Sequence, residues 1–355
     1  MRSKLGFLGV IVLCGSFTLL GCNNSGTDVS GTGSGSSAAD VDNSLAELEG
    51  EVKIDGSSTV APISMAAADA FRKKCPKVKV PVGISGTGGG FKRFTKGETA
   101  ISDASRPIKD AEYAAAKENN VSFIELPVAY DGLTIIANKE CDWVDEMTID
   151  QLKQIFLEDS AAKKWSDVNS DWPEEDIMIF LPGTDSGTFD YFKEVIAGDD
   201  ESFRSDMSPS EDDHVIVKGV SENKYAFGFL GASYYFSNED KLKALAVVDP
   251  KTEQAVLPTP ETIEDGSYAP FSRPLFIYVN SEAAKRLEVR VFVEHYLNNG
   301  AELATQAKYV GLPQEIYDHA MKNFKTKATG THYWDADGNK RSGALTEIFK
   351  SENLN

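Results

Sequence analysis

The sequence predicts an α/β protein whose parallel β-sheets are covered by helices on both faces. Three observations carry that prediction. Short runs rich in β-branched and aromatic residues alternate with helical patterns from residue 51 onward, and such alternation implies crossover connections and parallel strands. Three Ser/Thr/Gly segments each stand where a predicted strand hands over to a predicted helix. The 355-residue chain, less its first fifty residues or so, is long enough to bury a large core and suits two domains better than one.

The predicted strands are 52–55, 78–84, a long and nearly continuous apolar run at 123–138, then 177–180, 226–229, 244–248 and 275–279. Apolar spacing predicts helices at 60–72, from 91–96 onward, and at 108–118, 149–157, 188–196, 233–242 and 283–297. In sheets of this kind ligands bind beyond the carboxyl ends of the strands.

The amino terminus reads as a secretion signal. Met1-Arg2-Ser3-Lys4 is basic, and the apolar stretch from Leu5 to Leu20 is short and broken by glycine. It closes on Leu19-Leu20-Gly21-Cys22, which resembles the bacterial lipobox, although Leu20 is bulkier than the small residue often found there. A lipid-bearing Cys22 is the preferred reading; an ordinary cleavage nearby, with Cys22 a bystander, is the alternative. Residues 23–42 are mostly Gly, Ser, Thr, Asn, Ala and Asp, with little to bury, so a flexible tether is expected there. Some twenty-five residues of such a tether hold the folded body roughly 25–30 Å from the membrane.

A net charge of −19 argues against nucleic acid and against direct adhesion to anionic lipid. It also repels small anions at long range, so an anionic ligand has to be held by short-range hydrogen bonds. Of four cysteines, Cys14 leaves with the signal and Cys22 takes lipid. Cys75 and Cys141 remain, and the sequence leaves their pairing open.

The three strand-to-helix segments are Gly56-Ser57-Ser58-Thr59-Val60, Ser85-Gly86-Thr87-Gly88-Gly89-Gly90 and Gly183-Thr184-Asp185-Ser186-Gly187-Thr188. Each supplies hydroxyls and backbone N–H groups at a helix amino terminus, where the macrodipole is positive. Any one of them is more simply a helix cap. Three at the same topological position can converge on one tetrahedral anion. Ser102-Asp103-Ala104-Ser105-Arg106-Pro107 adds a guanidinium whose donor fork suits phosphate oxygens; pairing with one of the many acids is the plainer reading of Arg106 alone.

Taken in order, Gly-Ser-Ser-Thr-Val, Ser-Gly-Thr-Gly-Gly-Gly-Phe, Ser-Asp-Ala-Ser-Arg-Pro-Ile and Gly-Thr-Asp-Ser-Gly-Thr-Phe closely resemble the phosphate-binding proteins of phosphate ABC transporters. The resemblance extends to residues 126–133, Ser210-Glu211-Asp212-Asp213 and Ser272-Arg273-Pro274-Leu275-Phe276-Ile277-Tyr278-Val279-Asn280. It implies a two-lobed, type-2 periplasmic-binding-protein fold, each lobe a mostly parallel sheet flanked by helices, with the chain crossing between lobes twice. The crossings are placed near 130–132 and 270–273. The implied organisation is a signal peptide at 1–21, a tether at 22–50, lobe one at 51–131 and 272–355, and lobe two at 132–271.

The same resemblance implies a phosphate site drawn from Ser58, Thr59 and Val60, from Ser85 and Thr87, from Ser105 and Arg106, and from Asp185, Ser186, Gly187 and Thr188. Two departures stand out. Well-known members carry Asp where Ser105 stands, as acceptor of the phosphate proton, and Arg where Pro182 stands. Arg106 is therefore expected to supply the positive charge. Asp131, Asp185, Asp212 and Asp213 are the candidate proton acceptors. The implied partners are inorganic phosphate and an ABC permease, with membrane contact only through lipid, a monomeric state, and a location outside the cytoplasmic membrane or in the periplasm.

An enzyme is the rival reading. Thr184-Asp185-Ser186-Gly187 has a superficial likeness to a serine nucleophile segment, but none of the four histidines lies in a partner motif. His295 and His319 fall inside helical patterns. Asp335-Ala336-Asp337-Gly338-Asn339 lacks the glycine and the final glutamate of a calcium loop and reads as a turn. No catalytic residue, metal or cofactor is assigned. Sulfate, molybdate and other oxyanions remain alternative ligands.

Overall fold

The computed structural model describes residues 45–355 except 185, 199, 200, 336 and 342. The expected signal peptide, Cys22 and most of the expected tether lie outside the described residues, as does Asp185.

Among the described residues, nine strands form one continuous mixed sheet: β1 (Ile54–Gly56), β2 (Val82–Ile84), β3 (Ile101–Ala104), β4 (Phe123–Asn138), β5 (Met178–Pro182), β6 (Ser208–Ser210), β7 (Ala226–Gly231), β8 (Leu242–Ala244) and β9 (Ser272–Asn280). Their order is β2-β1-β3-β9-β4-β7-β5-β6, and β8 also pairs with β4. Pairing is parallel among β2, β1 and β3 and among β7, β5 and β6. It is antiparallel wherever β4 or β9 takes part. The parallel pairing predicted from the sequence thus holds within each half and gives way at β4 and β9, which run against each other.

β4 is the spine. All of its residues are buried, which is why it reads as an unbroken apolar run rather than an alternating one. Its residues 123–132 pair with β9 and its residues 133–137 with β7. The strand therefore passes from one half of the sheet to the other between Gly132 and Leu133.

Three helices leave the carboxyl ends of β1, β2 and β5. Helix α1 (Ala61–Arg72) carries Pro62 in its first turn, where no intrahelical N–H is needed, and buries Ile63, Ala67, Ala68 and Phe71. Helix α2 (Gly86–Phe94) begins five residues earlier than the sequence predicts. Glycine disfavours helix interiors, but a Cβ on Gly90 would lie 2.6 Å from the Gly56 Cα. The glycine run lets this helix press onto β1, and Phe91 packs edge-on against Tyr278 of β9. Helix α3 (Gly187–Ile196) is seated by Phe192, whose ring stacks on Phe229 at 3.9 Å and faces Phe271 at 5.7 Å.

Other boundaries shift for local reasons. The predicted strand 78–84 splits around Pro81, which has no N–H to donate: Val78–Lys79 pairs with Gly50–Glu51 in a separate ribbon. The predicted strand 244–248 divides between β8 and a three-stranded sheet containing Ala246–Val248. The predicted helix 233–242 is one short turn, Ala232–Phe236. Extended backbone at Arg286 divides the helix predicted at 283–297 into a 3-10 turn, Ala283–Lys285, and Leu287–Asn298. Cys75 and Cys141 are both buried and unpaired.

Candidate anion-binding site

The segment between β1 and α1 is a compact turn. The Ser57 N–H donates to the Asp103 carbonyl at 3.0 Å, and Ser57 Oγ accepts from the Thr59 and Val60 N–H groups at 3.2 and 3.4 Å. Ser57 thereby fixes the turn, and Thr59 stands 2 % exposed at its tip. From the next strand, Thr87 Oγ1 lies 3.0 Å from Ser105 Oγ and accepts from the Ser105 N–H at 3.2 Å. Ser105 follows β3, so two successive strand ends are stitched together by hydroxyls.

The first turn of α3 comes from the other half of the sheet. Ser186 caps it, accepting from the Thr188 N–H at 3.2 Å. A Cβ on Gly187 would lie 2.7 Å from Thr59 Oγ1 and 2.8 Å from the Thr59 Cα. Only glycine allows α3 to stand against the first turn at this distance. Ser58 Oγ donates across the same gap to Asp190 Oδ2 at 3.2 Å.

A cavity of about 200 Å³ opens here, lined by Ser57, Ser58, Thr59, Gly86, Thr87, Gly88, Ser105, Arg106, Asp190, Glu194 and Arg273. Five of the expected site residues therefore converge: Ser58, Thr59, Thr87, Ser105 and Arg106. Val60, Ser186, Gly187 and Thr188 flank it as the turn and cap just described. Ser85 does not line it. The Ser85 hydroxyl donates instead to Asp55 Oδ2 at 3.0 Å, beside Arg93 at 2.8 Å, and so anchors the loop from behind. Asp185 is outside the described residues.

Two guanidinium groups reach this cavity on unequal terms. Arg106 is held bidentately by Glu112 at 2.9 and 2.8 Å, and the Lys109 N–H donates to the same carboxylate. Its charge is largely neutralised within its own segment. Arg273, at the start of β9, is the cation that the sequence reasoning passed over. Its Nε donates to Asp131 Oδ2 at 3.2 Å, Nη2 to Thr59 Oγ1 at 3.4 Å and Nη1 to Glu194 Oε2 at 3.2 Å, with the Tyr191 ring 3.6 Å from Cζ. Ser272-Arg273-Pro274 was visible as a motif. Its partners Asp131 and Glu194, however, lie 142 and 79 residues away in sequence, so no local pattern marked it as a site residue.

The expected proton acceptors separate in the same way. Asp131 is 1 % exposed and committed to Arg273; burial raises its carboxyl above the ordinary value and Arg273 opposes the rise. Asp212 caps the helix Asp213–Glu222 by accepting from the His214 N–H. Burial, with Asp212 nearby, raises Asp213. Asp190 and Glu194, which do face the cavity, were not among the candidates.

Hollows of about 630 and 450 Å³ lie away from these loops. The larger mixes Lys53, Lys96 and Arg286 with Glu51, Glu98 and Glu282, so it offers an anion no net charge. Among the described residues no cluster of three or more His, Cys, Asp or Glu could hold a metal ion. His332 is buried against Glu125 at 3.0 Å, in a network with Thr331 and Tyr278. Asp335 accepts from the Asp337 and Asn339 N–H groups, the turn expected from the sequence.

The geometry can be set beside known proteins. The model of the PBP superfamily domain matches residues 28–299. The SphX protein of Synechococcus elongatus is 44% identical over 86% of this chain and 89% of its own. The phosphate-binding protein PstS of Staphylococcus haemolyticus is 39% identical over 91% of this chain and 97% of its own. The chain belongs to the PstS/SphX family of the PBP superfamily. Among solved structures, a possible phosphate-binding protein from Planctomyces limnophilus superposes with a TM-score of 0.76 at 42% identity, covering 79% of this chain and 99% of that one. A putative phosphate ABC transporter substrate-binding protein from Clostridium perfringens, solved with bound phosphate, gives 0.51 at 26% identity, covering 74% and 100%. The two-lobed α/β architecture implied by the motifs is that of the PstS/SphX family.

Proposed function

We propose that this protein binds inorganic phosphate in the 200 Å³ cavity and delivers it to the permease of a phosphate ABC transporter. The observation that carries the reading is the convergence of Thr59, Thr87, Ser105 and Arg273 on one small cavity flanked by the amino ends of α1, α2 and α3. Hydroxyls, helix N–H groups and one guanidinium are the donors a tetrahedral oxyanion needs. The names of the family members matched support phosphate over other oxyanions. Ser58, Val60 and the Ser186–Thr188 turn complete the proposed shell, with Arg106 at its rim.

The finer assignments belong to the same proposal: lipid on Cys22, a tether that ends before Leu45 and Leu48, which pack on the core, rather than at the expected residue 50, lobes at 51–131 with 272–355 and at 132–271, a monomeric state outside the cytoplasmic membrane, and no catalysis. Equilibrium dialysis with labelled phosphate against sulfate and molybdate tests the ligand. Saturable binding that neither competitor displaces is expected. Equal displacement by sulfate would overturn the choice of phosphate, and turnover of a chromogenic phosphate ester would overturn the transport reading.

A further inference from the structure

We propose that Glu194 is an internal competitor for the anion on Arg273, so that phosphate binds by exchange and Glu194 sets how tightly. The inference rests on the phosphate reading and adds a residue that controls affinity.

An arginine has five N–H donors, and those of Arg273 are divided among partners of different firmness. Asp131 takes the Nε side of the fork from a position 1 % exposed, on the neighbouring strand. Thr59 receives Nη2 at 3.4 Å, and the Tyr191 ring covers one face at 3.6 Å. What remains is Nη1, and Glu194 accepts from it at 3.2 Å. Arg273, Glu194 and Thr59 all line the one cavity. An anion entering it reaches an Nη1 group one of whose two N–H donors already serves a carboxylate.

The two carboxylates on Arg273 are not equivalent. Asp131 is enclosed and cannot leave without stranding a buried charge. The Glu194 side chain is 63 % exposed, and its carboxylate can turn into water at small cost. Glu194 is therefore the partner that gives way. It sits on α3, one turn beyond Asp190, which also lines the cavity. The helix whose amino end offers N–H groups to the anion thus carries, on the same side, an acid that opposes it.

Releasing an ion pair this exposed costs little, so the predicted effect is modest. Glu194→Gln is expected to lower the phosphate Kd roughly two- to fivefold by titration calorimetry, the factor that corresponds to an exposed pair. The same change in an Arg273→Gln background is expected to alter Kd less than twofold, because the competition acts through Arg273. A gain that persists without Arg273 would show simple charge repulsion and overturn the proposal. An unchanged or weaker Kd for Glu194→Gln would overturn it as well, showing an incidental contact or one that orients Arg273. Wild-type protein that binds no phosphate in dialysis would instead overturn the proposed function, a result told apart before any variant is made.

Discussion

Arg273 and Asp131 are registered neighbours on β9 and β4, and their side chains meet at 3.2 Å just before β4 passes from one half of the sheet to the other. The same guanidinium reaches Thr59, which follows β1, and Glu194 on α3, which follows β5 in the other half of the sheet. The cation proposed to hold the ligand is thus mounted where the two halves of the sheet join, not within either half alone.

Arg273→Ala should have two separable effects. A charge-assisted hydrogen bond contributes about 1.5–3 kcal/mol, so phosphate affinity should fall roughly ten- to hundredfold. Stranding Asp131 should cost about 3–5 kcal/mol of stability. Calorimetric titration reads the first effect and urea denaturation the second. Arg273→Lys should recover much of the stability but little of the affinity, because a lysine lacks the fork.

Arg106→Ala should weaken binding less than Arg273→Ala. Glu112 already accepts two of its hydrogen bonds, so less of its charge is free for a ligand. Titration of both variants under one buffer condition ranks them. A larger loss for Arg106→Ala would move the principal cation to the β3 side of the cavity.

Much of this arrangement is legible in the sequence, and the misses have physical causes. The bounds of β4 follow directly from a run that is buried on both faces. The bounds of α1 are nearly right, because Pro62 and the Ile63, Ala67, Phe71 spacing mark its start and face. The start of α2 is hidden because residues 86–90 have the composition of a loop, and only contact with Gly56 explains a helix there. Arg106 reads as the cation from sequence because it stands next to a recognisable turn, whereas Arg273 shows only as part of a motif. The acid that occupies it, Glu112, follows six residues later and looks like an ordinary first-turn helix residue.

Gly187→Ala should impair ligand binding and leave each lobe folded. The added methyl would meet the Thr59 backbone at 2.8 Å, and backbone cannot swing aside as a side chain can. An overpacking cost of about 1–3 kcal/mol converts to a roughly five- to hundredfold loss of affinity. Small-angle scattering should show a less compact particle in saturating phosphate than wild type. An unchanged profile with unchanged Kd would show that the lobes need not approach this closely.

Stability should fall as pH rises through the neutral range, in part because of Asp103. Burial, opposed by a hydrogen bond from Ser64 and assisted by the nearby Asp55 charge, pushes its carboxyl up to about 8 from an ordinary 3.8. Between those values the folded protein keeps a proton that the unfolded chain releases. The resulting stability is fully present below about pH 4 and is lost as pH climbs through about 8. Asp103→Asn keeps an acceptor for Ser64 and removes the titration. Its urea midpoint should therefore gain on wild type from pH 5 to about pH 8 and level off above that, and a constant difference would exclude Asp103 as the source.

The passage of β4 from one half of the sheet to the other, between Gly132 and Leu133, has a mechanical meaning. A loop between lobes would act as a loose joint, free to swing in many directions. Here the connection is a laminate of two hydrogen-bonded strands, with Ser272 opposite Gly132 and Arg273 opposite Asp131. Such a laminate resists bending in its own plane and yields to twist, the deformation β-ribbons already accommodate. A Cβ at Gly132 would lie 2.6 Å from Ile263 Cδ1, so the torsion bar is also braced from the side. Twist between the two halves of the sheet is therefore concentrated in a few peptide units, at residues 131–133 and 271–273.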